Sequence, residues 1–384
     1  MTPEVRLLVG SLRVEFGIEP ASSLEDLAGA VTDWKLVRRL ARAHTMTPAL
    51  VRALDAGSWG GVPLGEGERI RSLATQRVAD ALRITGTLVE VTDLLERAGV
   101  PHLPYKGPSL AVQLFGDPGA REFVDLDVLV PRRHLGPALV ALRAGGFDRP
   151  LELSPEQMRR YVAYANELQL VGADGTTVEV QWALGPRSAG IPLTVEELLA
   201  RSGRLEVAGK EVPALNQADL LVVLSYHAGK HLWERLGWVR DMATVLARTR
   251  HDEALEALAV ATSSGTRRAL AVGVLLTSSI VGVPIPEPLE SAAAEDAVAV
   301  DLAARIRHKV LDPSRAVAAP DKPLDLIGLR MREGVGARSR YLIRLAVTPT
   351  LEDWRARDLP ERFGFLYYAV RPFRLAGKYV FRRM

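Results

Sequence analysis

The string Phe123-Val124-Asp125-Leu126-Asp127-Val128-Leu129-Val130 sets two carboxylates two residues apart in an apolar, β-branched run. Such a run reads as a strand. Side chains alternate faces along a strand, so Asp125 and Asp127 point the same way. Two like charges on one face of an otherwise apolar strand repel each other, and a hard divalent cation is the natural counter-charge. Glu179, in Thr177-Val178-Glu179-Val180-Gln181-Trp182, occupies the same kind of position in a second strand and can supply a third carboxylate. Three carboxylates around Mg2+ or Mn2+ suit in-line displacement at phosphorus, where paired ions stabilise both the attacking and the leaving oxygen.

Upstream, Leu103-Pro104-Tyr105-Lys106-Gly107-Pro108-Ser109-Leu110 reads as a strand ending at a glycine and opening a helix. A helix N-terminus presents free amides and the positive end of its dipole, which attract phosphate. Lys106 adds a cation and Ser109 a hydroxyl. Arg121 stands just before the aspartate strand, where it can meet a phosphate or brace the aspartates, or serve as a structural ion pair. Later, His227, Lys230, His231 and Glu234 recur at spacings of three and four and share one face if that stretch is a single helix. They suit phosphate or substrate contact; a zinc site or a packing face are the other readings. Asp241 is placed to orient one of these cations.

The elements that must hold these residues follow from periodicity. Residues 1–99 read as helices, with a Gly- and Pro-rich loop from Gly57 to Gly67. Residues 100–215 alternate: a strand within Pro101–Tyr105, a short helix at 108–115, the aspartate strand, a helix from Pro131 to Gly145, a hairpin from Glu167–Val171 and Thr176–Trp182, and a small hairpin around Gly209. Residues 216–384 return to helices, predicted at 217–248, 252–281, 291–311 and 323–346, with a Pro-rich connection at 283–290. The tail, 360–384, interleaves aromatic and basic residues, as a docking helix or an RNA- or membrane-contacting segment would. The expected class is α+β: a small mixed sheet between two helical regions.

Taken together, Lys106-Gly107, Arg121, Asp125-x-Asp127 and Val178-Glu179-x-x-Trp182 resemble the uncharacterised bacterial nucleotidyltransferases of the DNA-polymerase-β-like superfamily. The resemblance extends to Asp33–Leu50, to Leu221–Asp241 and to Tyr367–Tyr379. It implies a nucleotidyltransferase core and transfer of a nucleoside monophosphate from a nucleoside triphosphate to a hydroxyl, with release of pyrophosphate. By position, Asp125, Asp127 and Glu179 would be the catalytic metal ligands, with Glu179 helping to activate the acceptor. Lys106, Gly107, Ser109, Arg121, His227, Lys230 and His231 would contact the nucleotide. Pro108 intervenes where the superfamily has Gly followed directly by Gly or Ser, and Gln181 stands where the closer group often has His.

Composition sets the outer limits. The 384 residues carry 49 Lys and Arg against 46 Asp and Glu, a net charge of +3, too small to announce a nucleic-acid binder by bulk charge. A small-molecule, peptide or protein acceptor is therefore favoured over long nucleic acid. There is no cysteine, which excludes disulfides and thiolate metal sites. No apolar run is long enough for a signal core or a membrane span, so a cytoplasmic protein is expected. A catalytically silent nucleotide-binding or sensing module is the alternative, and a purely helical scaffold would leave the two aspartates unexplained.

Overall fold

The computed structural model describes residues 1–149, 155–186, 191–314 and 326–348, together with Leu366, Tyr367, Tyr368, Arg371 and Arg374. Most of the basic, aromatic tail lies outside these residues. The first region is helical as expected: α1 (Pro3–Glu15), α2 (Ser23–Gly29), α3 (Trp34–Ala43), α4 (Thr47–Ala56) and the long α5 (Leu64–Arg97). The Gly- and Pro-rich loop is shorter than its composition suggested. Pro63 caps α5, and Gly65 and Gly67 fall inside its first turn, where a fixed proline φ prepares the helix start.

The sheet is built from β1 (Leu103–Pro104), β2 (Asp125–Leu129), β3 (Glu167–Val171) and β4 (Thr177–Gln181), in the order β1-β2-β4-β3. Strands β2 and β4 run parallel, while β1 and β3 pair antiparallel on either side, so the sheet is mixed. Helix α6 (Gly107–Phe115) follows β1; α7 (Leu135–Ala144) and α8 (Pro155–Tyr164) lie in the crossover from β2 to the β3–β4 hairpin. Helix α9 (Val195–Arg201) and the hairpin β5 (Gly203–Val207) and β6 (Lys210–Ala214) close this region.

The strand pattern explains the core. Leu126, Val128, Val178 and Val180 point to one face and pack with Ile84, Leu88 and Leu95 of α5 and Leu142 of α7. On the other face, Tyr105 and Leu129 join a second apolar cluster that unites α1, α3 and α4 with the C-terminal helices. The odd-numbered positions Asp125 and Asp127 therefore open on the side where these two helical segments meet.

The C-terminal helices are shorter than their periodicity implied. The stretch 217–248 divides into α10 (Gln217–Lys230) and α11 (Leu236–Arg248). Between them Leu232 and Trp233 have φ of +56° and +52°, a strained conformation for branched and bulky residues, and Trp233 is fully buried. Burying the indole in the helical core outweighs continuing the helix. The stretch 252–281 divides into α12 (His251–Ser264) and α13 (Arg267–Ile280) at Gly265, a left-handed C-cap. Pro286 and Pro288 do not form a long connection; they open α14 (Glu287–Ala294), followed by α15 (Ala297–Val310), α16 (Leu326–Arg330) and α17 (Gly334–Val347). Among the described residues no helix is long and apolar enough to cross a membrane.

Candidate active site

Parallel pairing of β2 and β4 sets Asp127 directly beside Glu179 and Asp125 beside Thr177. The three carboxylates are thus drawn together from positions more than fifty residues apart. Gln181, two residues beyond Glu179 on the same face, ties them. Its side-chain amide donates to Asp127 Oδ1 at 2.7 Å and to Glu179 Oε2 at 3.1 Å. The Tyr105 hydroxyl in turn donates to Gln181 Oε1 at 2.8 Å, which fixes the amide so that its nitrogen faces the carboxylates. Lys106 Nζ lies 2.5 Å from Asp127 Oδ1.

The electrostatics follow from crowding. Burial raises the Asp125 pKa, and the neighbouring Asp127 raises it further, against the pull of Lys106 and Arg121. Burial pushes Glu179 up to about 7, with Asp127, Glu167 and Asp125 adding to it. Burial works against the Lys106 charge, but Tyr105 and Asp127 beside it more than offset this and hold it above the ordinary lysine value. Arg121 and Arg235 also act on Asp125, and Lys230 feels Glu179 and Asp127, so the carboxylates are crowded among cations as well as among one another. Among the described residues no three His, Asp or Glu side chains already stand in ligating arrangement; Lys106 and Gln181 span the carboxylates instead.

Gly107 makes this close approach possible. Its φ is +58°, and a Cβ there would sit 3.1 Å from the backbone oxygen of Asp125. Glycine therefore lets the first turn of α6 lie against β2.

Asp125 and Asp127 open into a cleft of about 690 Å³. Its walls include Lys106, Gly107 and Arg121, and also Arg42, Arg77 and Arg235, which the sequence reading did not single out. Arg121 is anchored: its Nε lies 3.0 and 3.1 Å from the two carboxylate oxygens of Asp241. Asp241 thus orients Arg121, rather than a histidine or lysine. The α10 cluster is split by the end of that helix. His227 and His231 line the cleft and pack on Trp238, with ring centroids 5.4 and 5.6 Å from the indole. Burial, then the surrounding cations, depress His227 well below its usual pKa, so it is a neutral imidazole. Glu234 also reaches the cleft, but from beyond the helix, so the single helical face expected for the four residues is not formed. Lys230 is exposed and lies outside the cleft lining, and Ser109, 1% exposed, is buried within α6.

Of the missed residues, Arg42 had a readable signal, since Lys35, Arg38, Arg39 and Arg42 recur on one helical face. Arg77 and Arg235 had none, because each reaches the cleft only through tertiary packing. No curated protein and no solved structure matches the chain. Residues 30–282, more than half of the chain and the span that contains every residue of this cleft, match the family described as uncharacterised nucleotidyltransferase, and the chain belongs to that family.

Proposed function

We propose that the protein is a metal-dependent nucleotidyltransferase of the polymerase-β-like type, moving a nucleoside monophosphate from a nucleoside triphosphate to a hydroxyl and releasing pyrophosphate. The observation that carries this reading is the pairing of Asp127, which lines an arginine-rich cleft, with Glu179 on the neighbouring strand. The three carboxylates offer oxygen donors only, which fits Mg2+ or Mn2+ and not a softer metal. Asp125, Asp127 and Glu179 would hold the ion, with Lys106 yielding its oxygen on Asp127. Bound there, the metal would neutralise phosphate charge and make the acceptor hydroxyl more acidic.

The remaining parts belong to the chain. Arg77, Arg121 and Arg235 meet the triphosphate, and guanidinium forks match its oxygens in pairs. The opening turn of α6 at Gly107 turns free amides toward the cleft. The acceptor oxygen bonds to the α-phosphorus; the bridging bond to the β-phosphate breaks, and pyrophosphate leaves with that electron pair. Glu179, on the strand beside Asp127, is the carboxylate that takes the hydroxyl proton. Gln181 holds the carboxylates in register, and Trp238 with neutral His227 walls one side.

The test is incubation with each α-labelled nucleoside triphosphate, Mg2+ or Mn2+ and cell extract, beside the Asp125→Ala/Asp127→Ala variant. Label transfer or pyrophosphate release that the variant abolishes supports the reading. Metal-dependent nucleotide binding without transfer identifies a sensing module instead. Neither binding nor transfer sinks both.

A further inference from the structure

A second cavity, about 530 Å³, runs between α3 and α5. It shares Arg39 and Arg42 with the carboxylate cleft, so the two adjoin. Its cationic wall is one face of α3: Lys35, Arg38, Arg39 and Arg42, at positions i, i+3, i+4 and i+7. The opposite face of the helix, Val37, Leu40 and Ala41, is buried, which fixes the basic face outward. Lys35, Arg39 and Arg42 are exposed, and among the described residues none of the three has a hydrogen-bonded or ion-paired carboxylate. Arg38 and Arg69 share Glu66. The cations on this exposed face, of which Arg42 also feels the Glu122 carboxylate, repel one another and are stabilised by an anionic ligand.

The lining also selects among anions. From α5 it adds Arg69, Ser72 and Gln76, while Leu73 is its one apolar member and Glu68 its one carboxylate. Five of the nine lining side chains are cations, which suits a chain that carries regularly spaced negative charge. A phosphodiester backbone is such a chain. An acidic peptide also brings its own N–H donors, for which the groove offers a single carboxylate, Glu68. From Lys35 to Arg42 the helix rises about 10 Å, the axial reach of roughly three stacked nucleotides.

Resting on the nucleotidyl-transfer reading, we infer that the α3–α5 groove tracks the backbone of a single-stranded RNA and delivers its terminal hydroxyl to the carboxylates. That hydroxyl oxygen then bonds to the α-phosphorus, pyrophosphate leaves, its proton goes to Glu179, and the strand grows by one nucleotide. The net charge of +3 averages over the chain and conceals this local row.

The test is fluorescence anisotropy of a short labelled single-stranded oligoribonucleotide with the full chain, across a salt series. Engagement of three phosphates gives a slope of about −2 in log affinity against log salt. Lys35→Glu/Arg69→Glu, two exposed positions outside the carboxylate cleft, should weaken RNA binding at least tenfold. Binding of a labelled nucleoside triphosphate with Mn2+ should stay unchanged in that variant, which also shows that it folds. Absence of RNA binding at low salt, wild-type affinity in the variant, or displacement by polyglutamate as effective as by unlabelled RNA would each overturn the inference. RNA that is bound through these residues but never extended leaves the groove standing and counts against the transfer chemistry alone.

Discussion

Gln181 is a neutral side chain among charges, and its geometry makes it the keystone of the carboxylate set. Replacing it with leucine removes the donor shared by Asp127 and Glu179 and leaves the buried Tyr105 hydroxyl without its acceptor. Supporting contacts of this kind are worth about 10–100-fold in metal affinity or activity. Gln181→Leu should therefore lower kcat by that factor and raise the Mg2+ concentration for half-maximal rate. An unchanged metal titration would remove Gln181 from this role. The buried pair of Arg121 and Asp241 makes a stability prediction. Asp241→Ala strands a guanidinium that is only 13% exposed, and breaking a buried pair costs about 3–5 kcal/mol. Urea denaturation reads that loss directly. The Asp125–Asp127 pair was legible because strand alternation is a local rule, whereas Glu179 joins it only through the pairing of β2 with β4. Gln181 was not, since an amide gains its meaning only from partners that tertiary structure brings to it.

Elements fix how closely those residues approach. Helix α6 begins against β2 only because Gly107 tolerates a positive φ. Gly107→Ala should cost about 1–2 kcal/mol for the left-handed backbone and push on the Asp125 carbonyl. Activity should fall further than stability, as judged by comparing turnover with the denaturation midpoint. Equal, small effects on both would mean that the turn and the strand are not coupled. At this scale the sequence was a good guide to strands. The β3–β4 hairpin and the aspartate strand appear as expected, because alternation and the glycine turn at 172–175 are both local. It was a poorer guide to helix ends. The break at Leu232 and Trp233 carries no glycine or proline, and only the core that receives the Trp233 indole dictates it.

Across the whole molecule, α1, α3 and α4 pack on the C-terminal helices, and His44 sits at that junction. It is 2% exposed, and its Nδ1 accepts from the Leu236 amide while its carbonyl accepts from Gly237. Burial, then Arg235, lowers its pKa from 6.5 to about 4. A histidine that must stay neutral when folded stabilises fully above its unfolded value and ceases to do so as pH falls through its folded value. Between pH 6.5 and about 4 the protein should lose roughly 3 kcal/mol through this group. Thermal melting across that range checks it, and His44→Gln should flatten the decline. The α+β class and the helical flanks were legible in the periodicity. The meeting of the first helices with the last was not, because no local pattern records which distant apolar faces share a core.

That meeting has a consequence for synthesis. A nascent chain that has emerged as far as Gln181 already contains all three carboxylates, but not the Asp241 that holds Arg121 or the Trp238 that walls the cleft. The order of translation thus delays completion of the site until α11 has left the ribosome. On the proposed function, a fragment released before that point has the carboxylates but not the Asp241 that anchors Arg121, so unfinished copies are expected to be inert rather than promiscuous.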